Sequence, residues 1–267
     1  MIQTPDQPKA RIVLLGASNL TIGIRRVLCA SRDTLALTPS DELDVMISFG
    51  RGRSYGIDSS LLGRTLPGIV ECGLWDDLQP RDTCPTFALL TDIGNDVMYG
   101  IEPETILSWV RTCLDRLEIH SAKIVMTALP MARIRSIRPI HFRLMKALLF
   151  PRHAITYPLA MDRTEQLDVL LRQLARERSI PLIEPDVAWY GVDPIHIKWS
   201  RRREAWETIV KGWTEHASAN RTGRCRLSSG WTGSWLWRPQ KYSRSGRERY
   251  TPQPSIHLRP KTTVAMY

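Results

Sequence analysis

Short apolar runs rich in β-branched residues recur along the chain: RIVLLG (11–16), LDVMISFG (43–50), TFALLTDIG (86–94), KIVMTALP (123–130) and PLIEP (181–185). Runs of this length, bounded by Gly, Pro and polar residues, predict strands buried on both faces, as in a parallel sheet. Between them the apolar positions change to helical spacing. Ile106, Leu107, Val110, Cys113, Leu114 and Leu117 share one face, as do Leu167, Leu170, Leu171, Leu174 and Ala175. A last helix gathers Ala205, Trp206, Ile209, Val210 and Trp213. Alternating strands and helices imply right-handed crossovers, hence a three-layer α/β/α sandwich around a five-stranded parallel sheet. The predicted domain covers residues 11–217, after an N-terminal extension of residues 1–10. Sheets of this kind carry their sites at the carboxyl ends of the strands.

Beyond residue 217 the periodicity stops. Residues 218–267 mix Arg, Ser, Gly and Pro with isolated aromatics, a composition that predicts a disordered tail. Charge separates the same two parts. Residues 220–267 hold 10 Lys/Arg and 1 Asp/Glu, whereas residues 1–219 hold 27 and 26, so the formal net charge of +10 describes the tail and not the body. Five cysteines without a CxxC pair fit neither a disulfide framework nor a zinc knuckle. Without an apolar leader or a long apolar span, the expectation is a soluble, cytoplasmic protein.

Four short segments bear chemistry. GASN (16–19) follows the first strand and opens a helix, so Ser18 sits at a strand-to-helix turn near the positive end of a helix dipole. DPIH (193–196) precedes the last helix. An Asp three residues ahead of a His can fold back to accept from Nδ1, which leaves Nε2 free as a general base. DIGND (92–96) ends the third strand, where the Asn95 amide can donate to a developing oxyanion, and Gly50 and Gly52 in SFGRGRSYG can offer an unobstructed N–H. Each segment alone is ordinary turn or cap composition. Together they place a nucleophile, a base, an orienting acid and oxyanion donors at one edge of one sheet, the full set for acyl transfer.

In order and position, Ser, Gly, Asn and His resemble the SGNH hydrolases, the superfamily of GDSL-like esterases and lipases, over roughly residues 11–217. The resemblance implies a flavodoxin-like fold, hydrolysis of esters or thioesters, and no cofactor or metal. By similarity Ser18 is the nucleophile, His196 the base, Asp193 its orienter, and Asn95 with Gly50 the oxyanion hole, Gly52 being the alternative to Gly50. Ala17, Asn19 and Ile93 depart from the family pattern, standing where Asp, an aliphatic residue and Gly are usual. Arg51 and Arg53, beside Gly52, are candidates to hold an anionic group of a small-molecule ester. Trp189, Tyr190 and Trp199 bracket the DPIH segment and are candidates to stack on a substrate.

The competing reading is a catalytically idle α/β domain that contacts nucleic acid or another polyanion weakly through residues 220–267, where basic residues alternate with Trp231, Trp235, Trp237, Tyr242 and Tyr250. A flavodoxin-like nucleotide or FMN binder ranks last, because no phosphate-loop signature is present.

Overall fold

The computed structural model describes residues 8–61, 63–78, 84–150, 153–214 and 238–267. Its elements run β1 (Ala10–Leu15), α1 (Ser18–Thr34), β2 (Leu43–Ser48), β3 (Ser59–Leu61), β4 (Arg64–Leu66), α2 (Leu74–Asp77), β5 (Thr86–Leu90), α3 (Pro103–Glu118) and β6 (Lys123–Thr127). There follow α4 (Met131–Ile134), α5 (Pro139–Leu149), α6 (Tyr157–Glu177), β7 (Leu182–Ile183), α7 (Arg202–Lys211), β8 (Lys241–Arg244), β9 (Arg247–Tyr250), β10 (Ile256–Leu258) and β11 (Thr262–Met266).

Alternation along the strands builds the layers. In β1, Val13 and Leu15 face one core with Leu90 of β5 and Met126 of β6, covered by Ile106, Val110 and Leu114 of α3 and by Leu167 and Leu171 of α6. Ile12 and Leu14 face the other with Val45, Ile47 and Leu89, covered by α1 and α7. The two helices of that second layer approach closely. A Cβ at Gly23 of α1 would lie 2.1 Å from the indole nitrogen of Trp206 on α7, so only glycine fits there.

The central sheet has seven strands where the sequence predicts five, in the order β10-β11-β2-β1-β5-β6-β7. The five predicted strands are all present, and β11 adds to the outer edge of β2 in parallel, with Thr262 opposite Leu43 and Met266 opposite Ile47. Strand β10 pairs antiparallel with β11. The predicted disordered tail is thereby corrected for residues 238–267: Val264 and Met266 are fully buried in the α1/α7 core, and the two-sided burial of β11 matches that of β1. The domain therefore does not end near residue 217. Strands β8 and β9 form a second, antiparallel sheet with β3 and β4, in the order β3-β4-β8-β9. Trp231, Trp235 and Trp237 lie outside the described residues. No helix among the described residues is long and apolar enough to cross a membrane.

Candidate active site

The carboxyl ends of β1, β2 and β5 meet at one edge of the sheet. Gly16 leaves β1 with its N–H donating to the Ser48 carbonyl, 3.1 Å away at the end of β2. A Cβ at this position would lie 2.6 Å from the Thr91 side chain, so the chain passes between two strand ends only as glycine. Two residues later Ser18 opens α1.

Helix α1 lacks a capping side chain of its own, because Ala17 stands at its N-cap. The cap comes from the third strand's end. Asp92 Oδ2 accepts from the N–H groups of Ala17 (2.9 Å), Asn19 (3.0 Å) and Leu20 (3.2 Å). A carboxylate there satisfies orphan donors and meets the positive end of the helix. Asp92 is held in the left-handed backbone region, φ 60°, an uncommon conformation outside glycine and one that short polar residues tolerate best. The Ser18 N–H, flanked by these three, has no partner among the described residues and is a free donor at the mouth of the turn.

The segment 193–197 folds over this turn. Asp193 Oδ1 accepts from the N–H groups of Ile195 (3.0 Å) and His196 (3.2 Å), and its Oδ2 accepts from His196 Nδ1 at 2.7 Å. That bond places the ring proton on Nδ1, so Nε2 is the acceptor for the Ser18 hydroxyl at 2.9 Å. Burial raises the Asp193 carboxyl, but the hydrogen bond and charge of His196 and the two backbone donors outweigh it, and the group is held below its ordinary value. The loop closes through an antiparallel bridge between Tyr190 and Ile197.

Asn19 ties the two pieces together. Its amide donates to Asp92 Oδ1 (2.8 Å) and to the Ile195 carbonyl (2.9 Å), while its Oδ1 accepts from the Ile197 N–H (2.8 Å). Both neighbours of His196 are thus clamped to the neighbour of Ser18.

Asn95 lies in the 3₁₀ turn Ile93–Tyr99 and lines the same cavity as Ser18. One N–H of its amide donates to the Arg53 carbonyl at 3.2 Å, and the second remains available. Beneath it Asp96 is fully buried and accepts from the Ser54 hydroxyl and the Tyr55 N–H, locking the β2 exit loop against this turn. Burial pushes the Asp96 carboxyl up to about 7, against the lowering effect of those two donors.

The cavity beside Ser18 has a volume of about 140 Å³ and is walled by apolar side chains, among them Leu129, Ile134, Phe142, Met145 and Trp189. Gly50 lines a neighbouring cleft instead. Gly52, at φ +65°, offers its carbonyl to the Tyr99 hydroxyl. Among the described residues no three His, Cys, Asp or Glu side chains converge as a metal site would require.

No protein-family model matches the chain, and no curated protein does. Solved structures do. A carbohydrate acetylesterase from Sinorhizobium meliloti superposes with a TM-score of 0.52 at 14% identity, covering 75% of this chain and 96% of that one. The inhibitor-bound aryl esterase of M. smegmatis gives 0.51 at 13%, covering 75% and 97%. An acetyl xylan esterase gives 0.50 at 13%, covering 77% and 100%. The chain has the fold of these esterases. It is also the fold that the resemblance to the SGNH hydrolases implies.

Within this esterase fold, Ser18, His196, Asp193 and Asn95 come together at the expected sheet edge, while Gly50 and Gly52 do not line the cavity that holds Ser18. Arg53 is corrected as a substrate ligand. It is fully buried and donates to main-chain oxygens of Pro67, Phe49 and Tyr267, and desolvation lowers its guanidinium to about 10. Trp189 and Tyr190 do line the cavity, whereas Trp199 is 76% exposed away from it. Two site residues escape sequence reasoning: Asp92, visible only as the first residue of the DIGND segment, and Asn19, visible only as a departure from a motif. Their partners lie more than 70 residues away, and no local pattern reports such a contact.

Proposed function

We propose that this chain is a serine hydrolase of the SGNH type, which cleaves carboxylic esters or thioesters through an acyl-enzyme on Ser18. The observation that carries the reading is the continuous hydrogen-bonded chain from Ser18 Oγ through His196 to Asp193, with steps of 2.9 and 2.7 Å. Steps of this length suit proton transfer from an attacking hydroxyl.

In the first half-reaction Ser18 Oγ attacks the substrate carbonyl carbon as His196 Nε2 takes its proton. Asp193, fixed by two backbone donors, stabilises the imidazolium that forms. The oxyanion meets the free Ser18 N–H at the start of α1 and the Asn95 amide. His196 then returns the proton to the leaving alcohol or thiol. In the second half-reaction it activates water against the Ser18 ester. The cavity volume matches that of an apolar cavity known to hold a benzene-sized guest, about 150 Å³, so it suits a short or aromatic acyl group.

The test is turnover of p-nitrophenyl butyrate together with labelling by an organophosphonate ester. Ser18→Ala and His196→Ala should abolish turnover, and Asn95→Ala should lower kcat by on the order of 10² to 10³. Labelling that persists in Ser18→Ala would assign the nucleophile elsewhere.

A further inference from the structure

A second cleft, of about 520 Å³, adjoins the site, and its wall contains Gly50 and Thr21, one turn beyond Ser18. It opens at the ends of β2 and β11, the same sheet edge at which β1 delivers the nucleophile. Four guanidinium groups line it: Arg51 after β2, Arg64 on β4, and Arg238 and Arg244 from the C-terminal segment. Among the described residues no Asp or Glu belongs to its wall.

The positive charge is built in against its own repulsion. In the β4–β8 ladder Arg64 stands directly opposite Arg244. Like charges at facing positions in a sheet repel each other. The Arg64 guanidinium lies 4.4 Å above the Tyr242 ring, which fixes its plane. Burial, and then the charge of Arg244 against the help of Tyr242, lower its hold on its proton. Arg51, Arg238 and Arg244 form no salt bridge among the described residues. Planar forks at such density match the oxygens of a phosphate group, and a dianion balances this much charge better than a single carboxylate.

We infer that the arginine-lined cleft binds a phosphate group carried by the ester substrate, so that the enzyme acts on esters with a small apolar acyl half and a phosphorylated alcohol half. The inference rests on the hydrolase reading of Ser18. The apolar cavity and the cationic cleft then receive the two halves on either side of the reacting carbonyl.

The experiment compares hydrolysis of 1-butanoylglycerol 3-phosphate with that of 1-butanoylglycerol, and measures binding of glycerol 3-phosphate to the Ser18→Ala protein by calorimetry. Wild type should favour the phosphorylated ester at least about tenfold in kcat/KM, with the preference shrinking as salt screens the cleft. Arg244 is exposed, so Arg244→Glu should fold; it should abolish the preference and weaken glycerol 3-phosphate binding by at least about tenfold. Arg249→Gln, outside the cleft on β9, should change neither. Equal turnover of the two esters with no glycerol 3-phosphate binding overturns the inference. A preference for a butanoyl ester carrying a carboxylate over the phosphorylated one overturns the assignment to phosphate. Binding to Ser18→Ala that is lost in Ser18→Ala/Arg244→Glu, with neither ester turned over by wild type, upholds the cleft and removes the hydrolase reading instead.

Discussion

Asn19→Ala removes three hydrogen bonds at once, and its cost can be worked from their partners. Two join neutral groups, the Ile195 carbonyl at 2.9 Å and the Ile197 N–H at 2.8 Å, and one reaches the Asp92 carboxylate at 2.8 Å. A neutral bond contributes about 1 kcal/mol net and one to a charged group about 1.5 to 3. Because the three share one side chain and the site is partly open to water, a combined loss of about 2 to 4 kcal/mol is expected. In a domain of this size that lowers Tm by roughly 5 to 15 °C. The catalytic effect should be larger than the stability loss suggests, since the clamp holds both flanks of His196. A displacement of the base by about 1 Å costs on the order of 100-fold in rate. Kinetics with p-nitrophenyl butyrate should therefore show a fall in kcat with KM little changed, the mark of an interaction made in the transition state. Asn19→Asp keeps the acceptor for Ile197 but sets a second carboxylate against Asp92, and it should not rescue kcat. A kcat within threefold of wild type in an Asn19→Ala protein that melts several degrees lower would refute the positioning argument. An unchanged Tm would refute the hydrogen-bond count.

Three further outcomes follow from packing and charge. Burial raises the folded-state pKa of Asp96 to about 7, above its ordinary value, so the stability it contributes is complete below about pH 4 and is lost as pH rises through about 7. Urea titrations should show stability falling between about pH 4 and 7, and Asp96→Asn, which keeps an acceptor for Tyr55, should flatten that fall; equal slopes would remove Asp96 as the cause. Gly23→Ala drives a methyl into the Trp206 indole and should destabilise by about 1 to 3 kcal/mol in thermal melts, whereas a neutral result would mean that α1 and α7 can separate freely. A chain ending at residue 237 loses β8 to β11 and with them the buried side chains of Leu258, Val264 and Met266, each contributing about 1.5 to 3 kcal/mol. It should melt far lower or fail to fold, and a soluble truncation with the full Tm would show that β11 is dispensable.

How much of this was visible in the sequence depends on the range of the interaction. Strands β1, β2, β5 and β6 announce themselves as apolar runs, because a strand buried on both faces needs no partner to be recognised, whereas β7 is only two half-buried residues at the sheet edge. The amphipathic faces of α3, α6 and α7 are equally local. Asp193 and His196 are three residues apart, so their bond follows from one turn of chain. Strand β11 does not stand out. Its sequence TTVAM is five residues long and follows Arg259, Pro260 and Lys261, and only its docking beside β2 makes it a core strand. Asp92 and Asn19 are invisible for the same reason, since their roles come from contacts across 73 and 176 residues. The placement of Gly50 on the cationic cleft depends on the path of the β2 exit loop, which Arg53 and Asp96 set from within the core.

The pairing of β11 with β2 joins positions 219 residues apart, as between Thr263 and Asp44. Closing so long a loop costs entropy that no local contact returns, so this step belongs late on the folding route and slows it. Until it occurs, β2 presents an unpaired row of N–H and C=O groups beside Val45 and Ile47, a template on which another copy can add a strand. Refolding should then divide between the native route and association, with the native yield falling as protein concentration rises, and a peptide carrying residues 254–267 supplied in excess should compete for that edge.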